Sequence, residues 1–153
     1  MWNSHTATRV HLDARSRFIG WEIACLGLPA RGESFDAGRL QLDFELWKPA
    51  PAFVDRLRLT GDSPARRAAW GLAGCEALGT MLATPASDAH LDAIRALLAG
   101  CTHTAVSRVD GVLVLRALAA QAEPIRKLFI RAWHQLRPEV IGREAVPPRI
   151  WST

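Results

Sequence analysis

Two segments in the first half of the chain alternate apolar and polar residues. The segment 40–47, LQLDFELW, is apolar at every second position from Leu40, and the segment 54–61 continues the alternation with Leu57 and Leu59 between arginines. A two-residue period places the apolar side chains on one face of a β-strand. The intervening KPAPA at 48–52 contains two prolines, which cannot donate ladder hydrogen bonds, so the pattern predicts two strands joined by a hairpin connection.

An earlier run, RFIGWEIACLG at 17–27, is mostly apolar and has a single acid, Glu22, near its middle. Such a run predicts a strand that is covered on both faces. An unpaired carboxylate in that setting is costly, because it loses its hydration without gaining a partner. Glu22 therefore requires either an arginine partner or a polar channel.

The pattern changes to a helical period in the second half. Residues 63–64, Ser-Pro, predict the start of a short helix, with Ser63 as its N-cap. A second helix is predicted to begin at Ser87 and to stop at Gly100. Asp110-Gly111 lies between two β-branched or leucine-rich runs and predicts a two-residue hairpin.

The clearest helix is predicted over 123–137, where apolar residues recur at the spacing of one helical face. Pro124 is expected to start this helix and Pro138 to end it. The chain is thus predicted to be an α+β, β-rich protein, with antiparallel or stacked strands in the first half and two or three helices in the second half. We expect residues 1–153 to form a single domain.

Composition narrows the classes of partner. The 153 residues are 49% hydrophobic and 22% charged, which is typical of a folded globular chain. The net charge of +4 comes from basic residues scattered along the sequence, so we expect no nucleic-acid partner. The longest uncharged stretch, 77–87, is too short to span a bilayer, so no membrane partner is expected. Three cysteines without CxxC spacing favour a reducing, cytoplasmic location.

Candidate chemistry is sparse. Cys101 and His103 are two residues apart on a predicted strand and would share a face, so a cysteine nucleophile with a histidine base is one interpretation. A buried, unreactive cysteine is the other, and general residue preferences favour it. No histidine or cysteine spacing fits a closed zinc site. What remains is an acidic group, Glu22, Glu33 and Asp36, around the turn at 28–38.

Two separated motifs resemble the UreD/UreH family of urease accessory proteins. The first is WEIACLGLPARGESFDAGRLQLDFELW, in which the family pattern is matched by Trp21, Glu22, Ile23, Gly27, Ala30, Gly32, Glu33, Phe35, Gly38 and Arg39. The second closes the chain, where Gly142-Arg143 is followed by Pro148, Arg149, Ile150, Trp151 and Thr153 in the family's register. The resemblance covers the C-terminal half of the family's usual length, and we therefore expect a truncated form.

The resemblance implies a noncatalytic role as a scaffold or chaperone that helps deliver nickel during maturation of urease. The implied partners are urease apoprotein and other urease accessory proteins, one of them a GTPase. No cofactor is expected to bind stably, and nickel would pass in transit. Under this interpretation Glu22, Glu33 and Asp36 provide weak ligands along the nickel path. Two alternatives stay open: a small basic binding module unrelated to urease, and a hydrolase built on Cys101 and His103.

The closing PPRIWST combines two prolines with an arginine and a tryptophan. Pro147 and Pro148 favour an extended approach, and Trp151 can fill a pocket. One interpretation is that the tail is fixed to the chain's own core. The other is that Arg149 and Trp151 belong to a partner-binding surface, where arginine and tryptophan are common hot-spot residues.

Overall fold

A computed structural model describes residues 2–28 and 31–152, so the motif positions Ala30 and Thr153 lie outside the described residues. Within these two ranges, seven strands and two α-helices follow one another. They are β1 (Trp2–His11), β2 (Phe18–Cys25), β3 (Gly38–Lys48), β4 (Ala50–Thr60), β5 (Ala77–Thr84), α1 (Asp88–Leu97), β6 (Thr104–Val109), β7 (Val112–Ala119) and α2 (Ala122–Val140). Single 3-10 turns occupy Pro64–Arg66 and Arg149–Ser152. The predicted β-rich α+β fold, with its helices in the second half, is confirmed.

The strands form two sheets. The first has the order β1-β3-β4 and the second the order β2-β5-β7-β6. Both predicted hairpins are present, as antiparallel β3 and β4 and as antiparallel β6 and β7. Asp110 and Gly111 have φ angles of 48° and 75°, the left-handed conformations that a two-residue type I′ turn requires. The parallel pairing of β1 with β3 was not predicted.

Alternation along β5 shows how the layers stack. Leu78 and Leu82 belong to two apolar clusters shared with the first sheet, whereas Met81 belongs to the cluster formed with the helices. The second sheet therefore lies between the first sheet and the helical layer. Strand β2 follows the same rule, since Trp21 packs towards α2 and Glu22 points to the first sheet. The prediction that β2 is covered on both faces is correct.

The predicted end of the long helix at Pro138 is wrong. Helix α2 continues to Val140, and Pro138 lies inside its last turn. The proline ring removes one backbone donor there, but Val140 is almost fully buried and the amide of Ile141 still donates to the carbonyl of Arg137 at 3.0 Å. Burial of Val140 in the core cluster offsets the single missing hydrogen bond.

The helix predicted to start at residues 63–64 is only a 3-10 turn, and the side chain of Ser63 caps no backbone group there. Arg66, the last residue of this turn, is buried, and its Nη1 donates to the carbonyl of Gly61 at 2.6 Å. The prediction for α1 is better: Ser87 accepts from the amide of His90, and the His90 ring accepts from the amide of Ser87. Within residues 2–28 and 31–152, no helix is both long and apolar enough to cross a bilayer.

Candidate functional site

A polar row interrupts the apolar interior between the two sheets. Strand register aligns Glu22 of β2 with Thr80 of β5, and Thr80 with Arg116 of β7. Apolar clusters lie on both sides of this row, one around Phe35 and Leu40 and the other around Phe44. Three adjacent strands thus place a carboxylate, a hydroxyl and a guanidinium side by side on the face that is turned to the first sheet.

The first sheet supplies an opposing carboxylate. Asp55 of β4 lies on the inner face of that sheet, and its Oδ2 is 3.0 Å from Nη2 of Arg116. The ion pair therefore connects the two sheets through their side chains. About half of the Arg116 side chain and a quarter of the Asp55 side chain stay exposed, so solvent weakens the attraction.

A cavity of about 300 Å³ opens beside this pair. Glu22 and Thr80 line it from the second sheet, and Thr6, Phe44 and Asp55 line it from the first. A neighbouring groove of about 430 Å³ shares Asp55 and Thr80 with the cavity and has Arg116 on its wall. We call the first space the inter-sheet cavity.

Glu22 is the unpaired charge of the inter-sheet cavity. Among the residues that the structure describes, none makes a hydrogen bond or ion pair with its carboxylate, whereas Asp55 is held by Arg116. Hydroxyl and carboxylate oxygens are weak ligands that suit a hard or borderline cation in passage. In the described ranges, no group of three or more histidine, cysteine, aspartate or glutamate side chains is placed to hold a metal tightly.

The three acids singled out in the sequence do not come together. Of Glu22, Glu33 and Asp36, the lining of the inter-sheet cavity includes Glu22 alone. Glu33 is exposed and forms an isolated bridge with Leu28. Asp36 is mostly exposed, and its Oδ1 lies 3.4 Å from Nη1 of Arg66. A role for Glu33 and Asp36 at the entrance of a nickel path stays a prediction.

The C-terminal tail is fixed to the core through Trp151. Its ring centroid lies 5.4 Å from that of Trp21 and 4.9 Å from that of Trp133. These rings are tilted or edge-to-face, the arrangements that aromatic quadrupoles favour. Arg149 lies in the same 3-10 turn and is exposed. Trp151 thus packs inside its own chain, while Arg149 stays a predicted partner contact.

Cys101 and His103 do not share a strand face, so that prediction is wrong. Strand β6 begins only at Thr104, and His103 has a φ angle of 55°, which is incompatible with an extended strand. Both residues line a groove with Cys75 at the end of the second sheet. In the part of the chain that the structure describes, no hydrogen bond joins the Cys101 thiol to the His103 ring.

A known protein family matches almost the whole chain. The family model described as UreD urease accessory protein matches residues 3–152. The chain belongs to the UreD family. Both motifs lie in the matched region, except for position 153 of the second: the first runs through β2 and β3, and the second forms the tail that carries Trp151. Membership favours the accessory-protein interpretation over that of a binding module unrelated to urease.

Curated UreD relatives support the assignment. The urease accessory protein UreD of Hahella chejuensis is 40% identical, with 92% of this chain and 50% of the relative aligned. The UreD proteins of Alkalilimnicola ehrlichii and Pseudomonas fluorescens are each 37% identical, and 53% of each is aligned. The chain spans about half the length of the curated relatives it matches.

Two charged residues that face each other between the sheets, Asp55 and Arg116, were not identified in the sequence. Each carried a readable signal. The alternation that places Leu57 and Leu59 inside β4 also places Asp55 inside when it is extended by two residues. Arg116 interrupts the apolar run of β7 in the way that Glu22 interrupts β2. What the sequence lacked was the pairing of strands that brings these residues together.

Proposed function

We propose that this chain acts as a noncatalytic urease accessory protein in the maturation of urease. Its partners would be urease apoprotein and the other accessory proteins, including a GTPase that carries nickel. In this proposal the inter-sheet cavity receives nickel in transit, and Glu22 is the ligand that the cavity offers. The observation that carries the proposal is an unpaired Glu22 on the wall of a cavity, in a chain whose family is described as a urease accessory protein.

The chemistry of the cavity supports transit over storage. A single unpaired carboxylate attracts a cation, and the hydroxyls of Thr6 and Thr80 add neutral oxygen ligands. Tight binding of nickel would need several nitrogen or sulfur ligands in a closed arrangement. A cation in the inter-sheet cavity therefore keeps open positions and is released readily to the next ligand.

A cytoplasmic location completes the proposal. Cys25, Cys75 and Cys101 all carry free thiols. Free cysteines are typical of proteins in reducing compartments. Urease apoprotein would have to meet the chain in the same compartment.

The proposal is tested by activation of urease. Urease structural proteins and the other accessory proteins are expressed in a host whose own UreD gene is deleted, with or without this chain. We expect this chain to restore urease activity and bound nickel, measured by mass spectrometry of purified urease. Glu22→Gln keeps the size of the side chain and removes its charge, so it should lower bound nickel severalfold.

Glu144→Gln is the matched control, because Glu144 is exposed and distant in sequence from the cavity strands. Urease purified from cells with the Glu144→Gln variant should contain as much nickel as urease from cells with the unsubstituted chain. If neither the unsubstituted chain nor its variants restore urease activity, the accessory role is refuted. Full restoration by Glu22→Gln would refute the role of Glu22 while leaving the accessory role in place.

A further inference from the structure

The outer face of the first sheet, which is turned away from the second sheet, carries an ordered set of charges. Hydrogen bonds connect its charged side chains and one indole, which are those of Arg9, Asp43, Glu45, Trp47, Arg56 and Arg58. The central strand β3 contributes both acids, and the flanking strands β1 and β4 contribute the arginines. The acids thus lie in the middle of the face and the cations on both sides of them.

The carboxylate of Glu45 lies between two of the arginines and accepts a hydrogen bond from each. Its Oε2 accepts from Nε of Arg9 at 2.7 Å and from the indole of Trp47 at 3.0 Å, and its Oε1 accepts from Nη2 of Arg56 at 3.0 Å. Glu45 is only 4% exposed, although it lies on an outer face. The guanidiniums themselves cover the carboxylate, while the side chains of Arg9 and Arg56 stay 59% and 60% exposed.

This arrangement carries an uncompensated positive charge. The hydrogen bond from Arg9, then those from Trp47 and Arg56, lower the pKa of Glu45 to about 2. Glu45 is therefore anionic at neutral pH, and the two guanidiniums exceed it by one positive charge. Next to it, Asp43 and Arg58 form a balanced pair whose charged oxygen and nitrogen lie 2.8 Å apart.

The two guanidiniums are also preorganised. Each uses only part of its five N–H donors on Glu45, so the remaining donors are available to a second acceptor. Both groups are already fixed by the same carboxylate, which lowers the ordering entropy that a partner would have to supply. Trp47 lies partly exposed beside the pair, where His11 stacks with its ring at a centroid distance of 5.8 Å and Cζ of Arg9 lies 5.9 Å from the ring centroid.

We infer that the Arg9–Glu45–Arg56 cluster docks a carboxylate on an acidic surface of a partner protein, with Trp47 in contact beside it. One incoming carboxylate makes the cluster neutral and accepts the donors that Glu45 leaves unused. A phosphate backbone fits less well, because Asp43 and Glu45 occupy the centre of the face and repel a continuous run of negative charge. The identity of the partner, though not the site, rests on the proposed function.

The first experiment measures binding of this chain to purified urease apoprotein and to each purified accessory protein. The test variant is Arg9→Gln/Arg56→Gln. The control is Arg95→Gln/Arg126→Gln, which removes an exposed and a partly buried arginine that are also paired with acids, Asp92 and Glu123. Both variants lose the same net charge. We expect the test variant to bind one partner at least about tenfold more weakly than the control does, because charge-assisted contacts are lost.

The test variant leaves Glu45 buried without its arginines, which risks unfolding. The triple variant Arg9→Gln/Glu45→Gln/Arg56→Gln removes that charge and should fold while still failing to bind. Equal binding of the folded triple variant and the unsubstituted chain would overturn the assignment. If the unsubstituted chain binds none of these proteins, the proposed function fails.

A second experiment decides the site without any of those partners. Elution of each variant by chloride is compared on a carboxymethyl matrix, which presents carboxylates, and on heparin, which presents sulfates. We expect the test variant to elute earlier than its charge-matched control from the carboxymethyl matrix. Equal elution there overturns the docking site, and a difference confined to heparin overturns the choice of a carboxylate ligand.

Discussion

Removal of Trp151 tests whether the tail is part of the core. Trp151→Ala deletes two aromatic pairs, with centroid distances of 5.4 Å to Trp21 and 4.9 Å to Trp133. Each such pair contributes about 0.5–1.5 kcal/mol, and full truncation of a core aromatic residue costs about 3–5 kcal/mol. Because Trp151 is only partly buried, we expect the free energy of unfolding to fall by about 2–4 kcal/mol.

Urea titration of the purified chain, followed by circular dichroism, measures this loss. For a chain of this size the same change lowers the melting temperature on the order of 10 °C. Trp151→Phe keeps an aromatic ring in the cluster and should lose clearly less. Val146→Ala, in the same tail but 66% exposed, should change the unfolding free energy by less than about 0.5 kcal/mol.

The result that would refute this reasoning is a Trp151→Ala chain that unfolds at the urea concentration of the unsubstituted chain. Loss of partner binding with no loss of stability would then assign Trp151 to the partner surface. Equal destabilisation by Val146→Ala would show instead that the tail acts through its backbone and not through the three tryptophan rings.

Three further substitutions test the packing, the electrostatics and the capping. Gly79→Ala should cost about 1–3 kcal/mol in urea titration, since the added Cβ would lie 2.7 Å from Cγ2 of Ile125 and 2.8 Å from Cε2 of Phe129; an unchanged midpoint would contradict this. The pKa of Glu45 is about 2, below its ordinary 4.5, so the stability that this group supplies is present above pH 4.5 and is lost as the pH falls towards 2. Glu45→Gln should therefore flatten the acid limb of a plot of unfolding free energy against pH, and an unchanged slope would contradict this. Ser87→Ala should cost about 1 kcal/mol by thermal denaturation, whereas Ser87→Asp should not.

Local pattern in the sequence predicts most of the individual elements. The alternation around Leu42 and Leu57 is sufficient for β3 and β4, and the helical face from Ile125 onwards is sufficient for α2. These elements follow from periodicity because each has one face against the core. The end of α2 was misjudged because a proline preference is local, while the burial of Val140 depends on what packs against it.

The candidate site was predicted only in part, for a similar reason. Glu22 stands out because a charge in an apolar run is visible in one strand alone. Asp55 and Arg116 matter to the site because they form an ion pair with each other, and they are far apart in sequence and in different sheets. Cys101 and His103 show the opposite case, since their short spacing suggested a relation that the backbone at His103 does not support.

The parallel pairing of β1 with β3 has a consequence for the order of folding. The chain leaves the first sheet after β1, builds β2 into the second sheet and returns for β3. Strand β4 can pair with β3 through a short turn, but β1 cannot pair with β3 in this way. Its pairing requires the closure of a longer loop, which costs more chain entropy. Its amides should acquire protection late in refolding, and the two sheets should lose their structure in one concerted step.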